Sequence, residues 1–395
     1  MRVISGLEHF ITHKNNYVSA NARVGLIANP TAVDAQVNHA IDLLLQHQVH
    51  LTTLFGPEHG LRGDAQDMIS VTDEQRDKHS GLPVYSLYGH TFRSLEPEEY
   101  QLRDVDVLIF DIQDIGSRYY TFAATMALCM QKAAEYHKKM IVLDRPNPIG
   151  GLQIEGGGIT KGLESFVGLY PLPVRHGLTV GELAQLYNHY FKINCDLQVV
   201  PCQYYKRSMY YHETDLLWIM PSPNIPTFRT ALVYPGMCLI EGTNVSEGRG
   251  TTIPFELVGA PFVDGVRLAQ YLTGLDLPGV LFRACAFTPT FHKFSGSLCG
   301  AVQLHVTHRD TFLSYRTGLA ILVAIKQLWP NEFRWRTDTY EFRKDVPAID
   351  LLTGNTMVRE AIDAGKDVDT VYHLGCQNHE LPNFKTLREK YLLYT

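Results

Sequence analysis

The chain has 395 residues, 41 acidic and 35 basic, for a net charge of −6, and its basic residues are scattered rather than gathered into a stripe. Its length is more than twice a typical domain of ~150 residues, so two domains are expected, and a 45% hydrophobic content supplies their cores and excludes a disordered chain. The missing Lys/Arg stripe argues against nucleic acid as a partner. Seven cysteines form no CxxC pair, the first 16 residues lack the apolar segment of a secretory signal, and no apolar run approaches the ~20 residues that cross a bilayer. Free thiols in a cytoplasmic protein without membrane contact are the expectation.

Residues 1–150 alternate short β-branched runs with helical spacing, the pattern of a parallel sheet covered by helices. Residues 23–28 (RVGLIA) read as a buried strand and 35–47 as an amphipathic helix. Strands follow at 50–55 (HLTTLF), 83–87 (PVYSL) and 106–110 (DVLIF), then a helix over 119–137 and a strand at 140–143 (MIVL). This half is expected to be a Rossmann-like, doubly wound domain. Residues 151–258 are rich in Gly and Pro loops and are expected to complete the first domain and a cleft. Within them, Thr179 and Glu182 form a capping-box pattern at a helix start, 198–201 reads as a strand, and the apolar stretch 229–241 is interrupted at Pro235 and Gly236. Residues 259–395 are expected to form a smaller α/β domain, with strands at 279–286 and 301–307 and a helix at 311–329. The active site is expected in the cleft between the two domains.

Ligands of open α/β sheets bind beyond the carboxyl ends of the strands. Each strong strand of the first half runs directly into polar residues there. The first leads to Asn29, Pro30 and Thr31, and the second to GPEHGLRGD with Glu58, His59 and Arg62. The third leads to DIQDIGSRYY with Asp111, Gln113, Asp114, Arg118 and Tyr119, and the fourth to DRPNPIGG with Asp144, Arg145 and Asn147. An Asp or Asn after a strand also serves as a cap or turn former, and Arg118 could simply pair with Asp114. Glu58 stands apart because Gly56, Gly60 and Gly63 frame it and allow close backbone approach by a ligand. Farther on, EGTNVSEGRGTT places Asn244, Glu247, Arg249 and Thr251 among glycines, and MPSPNIPT offers Asn224 on a proline-stiffened loop.

The usual cofactor and nucleophile signatures are missing. No GxGxxG follows a strand, GGGITKG lacks the GK[ST] ending of a phosphate loop, and neither HExxH nor GxSxG occurs. His59, His176 and His212 are far apart, so no metal and no cofactor are expected. What remains is a cleft of carboxylates, amides, guanidinium groups and tyrosines, in a chain with 21 Tyr and 18 Phe. Sugars need such surfaces, and two carboxylic acids flanking a glycosidic bond supply acid/base and nucleophilic or electrostatic catalysis.

The blocks GLIANPTAVD, LFGPEHGLRGDAQ, DVLIFDIQDIGSRYYTF, VLDRPNPIGG, PVRHGLTVGELA, MPSPNIPT and YPGMCLIEGTNVSEGRGTTIPFELVGAPFVDG, in this order, resemble the exo-β-N-acetylmuramidase family. These are bacterial peptidoglycan-recycling glycoside hydrolases, long catalogued as a domain of unknown function. The resemblance is strong over residues 24–264 and looser to the end. It implies release of terminal, non-reducing N-acetylmuramic acid (MurNAc) from cell-wall fragments such as MurNAc–GlcNAc, in a cleft between a Rossmann-like domain and a smaller one. Matched motif by motif, it implies Glu58 and Glu247 as the catalytic carboxylates. It also implies Asp111, Gln113, Arg118, Tyr119, Asn147, Asn224, Asn244 and Arg249 as cleft residues, to which the strand-end reading adds Asn29, His59 and Arg62 as substrate-binding candidates. Glu58 is the choice for general acid, with Glu247 as second carboxylate or as a group orienting the sugar. Arg249 or Arg118 is the expected grip on the lactyl carboxylate. Asp111 or Asp114 is the candidate for positioning a participating acetamido group. A non-catalytic muropeptide- or sugar-binding protein using the same cleft is the alternative, and a Rossmann-type oxidoreductase is opposed by the missing glycine fingerprint.

Overall fold

The computed structural model describes residues 1–61 and 75–395. The chain opens on a helix that the sequence reading passed over, α1 (Gly6–His13), although its capping box is legible as SGLE: Ser5 accepts from the Glu8 amide, and Glu8 reaches back to Ser5. Next come β1 (Val24–Ala28), α2 (Ala40–Gln46), β2 (Leu51–Gly56), β3 (Gln75–Arg76), β4 (Pro83–Ser86) and β5 (Val107–Asp111). Helix α3 (Phe122–Glu135), β6 (Lys139–Leu143), α4 (Val180–His189) and β7 (Asp196–Val200) complete the first layer system.

These strands form one sheet in the order β3-β4-β2-β1-β5-β6-β7. Six run parallel, and β3 is antiparallel at the edge. β1 and β5 lie at the centre with every residue buried, which is why both read as continuous apolar runs without alternation. The chain leaves β1 towards β2 on one side and returns to β5 on the other, so the switch point of this Rossmann-like sheet falls between β1 and β5. Asn29, Glu58 and Asp111 all lie at the carboxyl ends beside it. Helix α4 begins at the predicted box, with Thr179 accepting from the Glu182 amide.

The second part comprises α5 (Phe228–Met237), β8 (Leu257–Ala260), α6 (Gly265–Thr273), β9 (Val280–Phe287), β10 (Cys299–Val306), α7 (Ser314–Leu328) and α8 (Ala348–Thr353), with short helices to the end. β8, β10 and β9 make a three-stranded antiparallel sheet. The break expected at Pro235 and Gly236 falls in the last turn of α5, which ends at Met237, and the Gly236 amide donates to Ser314 Oγ of α7. A 3-10 turn, Cys238–Gly242, then carries the chain to the EGTN motif. All seven cysteines are free thiols. Among the described residues no helix is long and apolar enough to cross a membrane.

Candidate active site

Glu58 sits in the tight turn that closes β2. The Gly60 amide donates to Pro57 O at 2.8 Å, and both His59 and Gly60 have positive φ, +71° and +78°. A Cβ on Gly56 would stand 2.7 Å from the Leu61 nitrogen, so the turn folds back on its own strand only because that residue is glycine. The turn buries Glu58 and delivers its carboxylate to the start of α3, where Thr121 Oγ1 donates to Oε2 at 2.6 Å.

Glu58 and His59 line a cavity of about 460 Å³, counted with its open mouth. Tyr119, Tyr120 and Thr121 enter from the α3 start, Asn224 from the proline-stiffened loop, and Arg249 and Glu241 from the EGTNVSEGRG segment. Tyr340 and Glu341 come from the last 65 residues, where sequence patterns were weak. Arg249 is held on several sides: Nη2 lies 2.7 Å from Glu241 Oε1, Nε lies 3.3 Å from Glu247 Oε1, and the guanidinium sits 5.0 Å from the Phe255 ring centroid. Glu241 Oε2 in turn accepts from Tyr340 at 2.8 Å. Burial pushes the Tyr120 hydroxyl well above its ordinary pKa, so it remains a phenol, within reach of the charges of Glu58 and Arg249.

Glu247 is fully buried and is not on the cavity wall. Its Oε2 meets Lys293 Nζ at 2.9 Å, and Oε1 meets Arg249 Nε and His292 Nδ1, both at 3.3 Å. Burial alone would raise its pKa, but Lys293, His292 and Arg249 outweigh that and hold the carboxylate well below its usual range.

Most of the other predicted residues build the frame instead of the cavity. Asn29 closes a turn onto the Thr31 amide at 3.0 Å and donates to Pro221 O. Asp111 is gripped by Arg145 through two contacts of 2.6 and 2.9 Å. The Gln113 amide group donates to Asp114 O and Pro146 O, and Asn147 spans Leu178 O and the Ile149 amide. Arg118 donates to the carbonyls of Gly157, Leu172 and Leu352, which leaves its guanidinium inside a backbone cage away from the cavity. Asn244 pairs with the backbone of Glu332 and Arg334. Asp114 accepts from the Gly116 amide at 2.6 Å, and burial pushes its carboxyl up to about 7. Arg62 lies outside the described residues. The triple glycine 156–158 serves close packing, since a Cβ on Gly157 would stand 2.1 Å from Gln377 O. A more open depression of about 1120 Å³, between 206–213 and 307–310, contains none of the predicted residues. Among the described residues no group of three His, Cys, Asp or Glu side chains is placed to hold a metal.

Comparisons with known proteins identify the family. The family models for the N-terminal and C-terminal parts of exo-beta-N-acetylmuramidase NamZ match residues 24–229 and 232–394. The chain belongs to that family. It is 46% identical over 373 residues to the peptidoglycan beta-N-acetylmuramidase NamZ of Bacillus subtilis (strain 168), covering 94% of this chain and 87% of that protein. Two crystal structures of DUF1343 family proteins from Bacteroides fragilis NCTC 9343 superpose with TM-scores of 0.87 and 0.77, at 36% and 31% identity. Both alignments cover 100% of this chain and 99% of the other.

In this NamZ-family member the sequence reading missed Tyr120, Thr121, Ser222, Tyr234, Glu241, Phe255, Tyr340 and Glu341 as cavity residues. The signal for Tyr120 and Thr121 was present, one and two places after Tyr119 in GSRYYT. No local pattern marks Tyr340 and Glu341, which reach the cavity only through the fold.

Proposed function

We propose that this protein is an exo-acting glycoside hydrolase that releases terminal, non-reducing, β-linked MurNAc from peptidoglycan fragments such as MurNAc–GlcNAc. The observation that carries the reading is the meeting of Glu58 and Arg249 on one cavity wall, in a chain of the NamZ family. Glu58, held by Thr121, gives its proton to the glycosidic oxygen as the bond to the anomeric carbon breaks; a water then adds to that carbon and releases a proton that restores the acid. Arg249 grips the lactyl carboxylate that separates MurNAc from GlcNAc, and the Tyr120 phenol donates a hydrogen bond beside it. Glu247 acts on the sugar only through Arg249, because its own carboxylate is enclosed by Lys293, Arg249 and the His292 ring behind the wall. The other carboxylates on the wall are Glu241, whose two oxygens serve Arg249 and Tyr340, and Glu341.

A chromogenic MurNAc β-glycoside incubated with the purified protein, without added cofactor, tests the activity; no aglycone release would remove the reading. Glu58→Gln keeps the shape and should lower turnover by about 10²- to 10⁴-fold. Wild-type turnover by that variant would strip Glu58 of its role. Arg249→Ala should weaken inhibition by MurNAc far more than inhibition by GlcNAc, and equal weakening would exclude the lactyl contact.

A further inference from the structure

We propose that Glu341 is the second catalytic carboxylate of the cavity, the base that takes a proton from the water attacking the anomeric carbon. The proposal rests on the muramidase reading above and deepens it, because hydrolysis has one more proton to place, that of the water.

Tyr340 and Arg343 pair as an isolated antiparallel bridge, exchanging backbone hydrogen bonds of 2.8 and 2.9 Å, so Glu341 and Phe342 alone make the turn between them. Their φ angles are +43° and +67°. A two-residue turn with both central φ positive ordinarily selects Asn-Gly, because larger L side chains are strained there. Two large side chains stand in it instead, and strain of this kind gathers at active sites, where the surrounding structure holds it in place. Arg343 fixes the turn, binding Asp345 and Glu164 O at 2.7 Å each. The outcome for Glu341 is a carboxylate that is only 4% exposed and lines the cavity that Glu58 also lines.

The parallel sheet ties the two carboxylates together. β2 and β4 are neighbours, with Gly56 opposite Ser86 and the Leu87 amide donating to Gly56 O at 2.8 Å. Glu58 stands two residues past Gly56 and Tyr88 two residues past Ser86, so they leave adjacent strand ends, on strands spaced about 4.8 Å. The Tyr88 hydroxyl then donates to Glu341 Oε2 at 3.4 Å. Among the described residues three carboxylates line the cavity: Glu58, Glu241 and Glu341. Glu241 holds Arg249 at 2.7 Å and Tyr340 at 2.8 Å, and Glu58 is the acid, so the base falls to Glu341. As the water oxygen bonds to the anomeric carbon, its proton passes to Glu341, while the proton of Glu58 goes to the leaving oxygen. Solvent carries the proton on from Glu341 to Glu58, and both groups return to their starting states. A base that activates water on the face opposite the leaving group inverts the anomeric configuration.

The test compares the wild type, Glu341→Gln, Glu341→Gly and Glu58→Gln on MurNAc–GlcNAc and on dinitrophenyl β-MurNAc, whose leaving group departs without an acid. Glu341→Gly deletes the carboxylate while relieving the positive φ, and thermal melts check that each variant is folded. Both Glu341 variants should lose about 10²- to 10⁴-fold in kcat on both substrates, whereas Glu58→Gln should lose far more on the disaccharide than on the dinitrophenyl glycoside. Azide needs no base, so it should restore dinitrophenol release by Glu341→Gly and yield the α-glycosyl azide. The wild type should release MurNAc first as the α anomer. Wild-type rates in both Glu341 variants, a loss that azide does not restore, or first release of the β anomer each overturns the role of Glu341, while cleavage of the disaccharide by the wild type keeps the muramidase reading standing. A wild type that cleaves neither substrate overturns that reading, and the role of Glu341 with it.

Discussion

At Glu247 a lysine, an arginine and a histidine ring meet one fully buried carboxylate, and the consequences are electrostatic before they are catalytic. Glu247→Gln leaves Lys293 without its counter-charge and Arg249 with Glu241 alone, a loss of about 3–5 kcal/mol for a broken buried pair. Because the folded-state pKa is depressed, this contribution is present above the unfolded value of ~4.3 and is lost as pH falls below it. Thermal melts should therefore show a wide gap between wild type and variant at neutral pH that narrows in acid. A gap constant with pH would mean that the cations do not hold the carboxylate. The same residue marks the limit of motif reading. SEGRG places a glutamate and an arginine two positions apart, but Lys293 comes from the connection between β9 and β10, 46 residues away, and no local motif shows that contact. Asp111 is similar, since its bidentate partner Arg145 lies on the neighbouring strand's exit.

Helices α5 and α7 meet backbone to backbone through glycine. A Cβ on Gly236 would lie 1.9 Å from Ser314 O, and one on Gly318 would lie 2.2 Å from Gly236 O. Gly236→Ala must force the pair apart, so a loss of about 1–3 kcal/mol or more is expected, read as a lower Tm. Because α5 runs through Cys238–Gly242 to Glu241, the variant should also weaken MurNAc binding; an unchanged Tm would mean that the crossing can relax. Elements with strong one-dimensional signals were legible: the central strands as unbroken apolar runs, and α4 by its capping box. β8 was missed because it is only four residues long and fully buried, so it shows no alternation. Pro235 and Gly236 mark the last turn of α5, where the chain passes from α-helix into the 3-10 turn at Cys238.

The two sheets share one hydrophobic core. Phe110, Met140 and Val142 of the parallel sheet, Val258, Val302 and Leu304 of the antiparallel sheet, and Phe384 near the C-terminus belong to the same buried cluster. The tail returns to the first sheet as well: Tyr394 donates to Asp144 Oδ2 at 2.6 Å and accepts from the Cys202 amide at 2.8 Å. With no solvent layer to separate the parts, the chain should unfold in one cooperative transition, although two family models divide it near residue 230. Calorimetry checks this through the ratio of calorimetric to van't Hoff enthalpy. Two resolved transitions would show that the parts are energetically separate.

By itself, the sequence determined the architecture of the first half, the turn that presents Glu58 and the motif that carries Arg249. Those features depend on neighbours within a few residues: apolar runs make strands, and glycines permit tight turns. Tertiary structure decided which polar residues face the cavity. Asn29, Asp111, Gln113, Arg118 and Asn147 stand at or beyond the right strand ends, but Asn29, Gln113, Arg118 and Asn147 bond buried backbone and Asp111 pairs with Arg145. Tyr340 and Glu341 arrive from a segment without a distinctive local pattern. A side chain's role here depends on whether its partners lie behind it or in front of it, and that direction exists only once distant segments have packed.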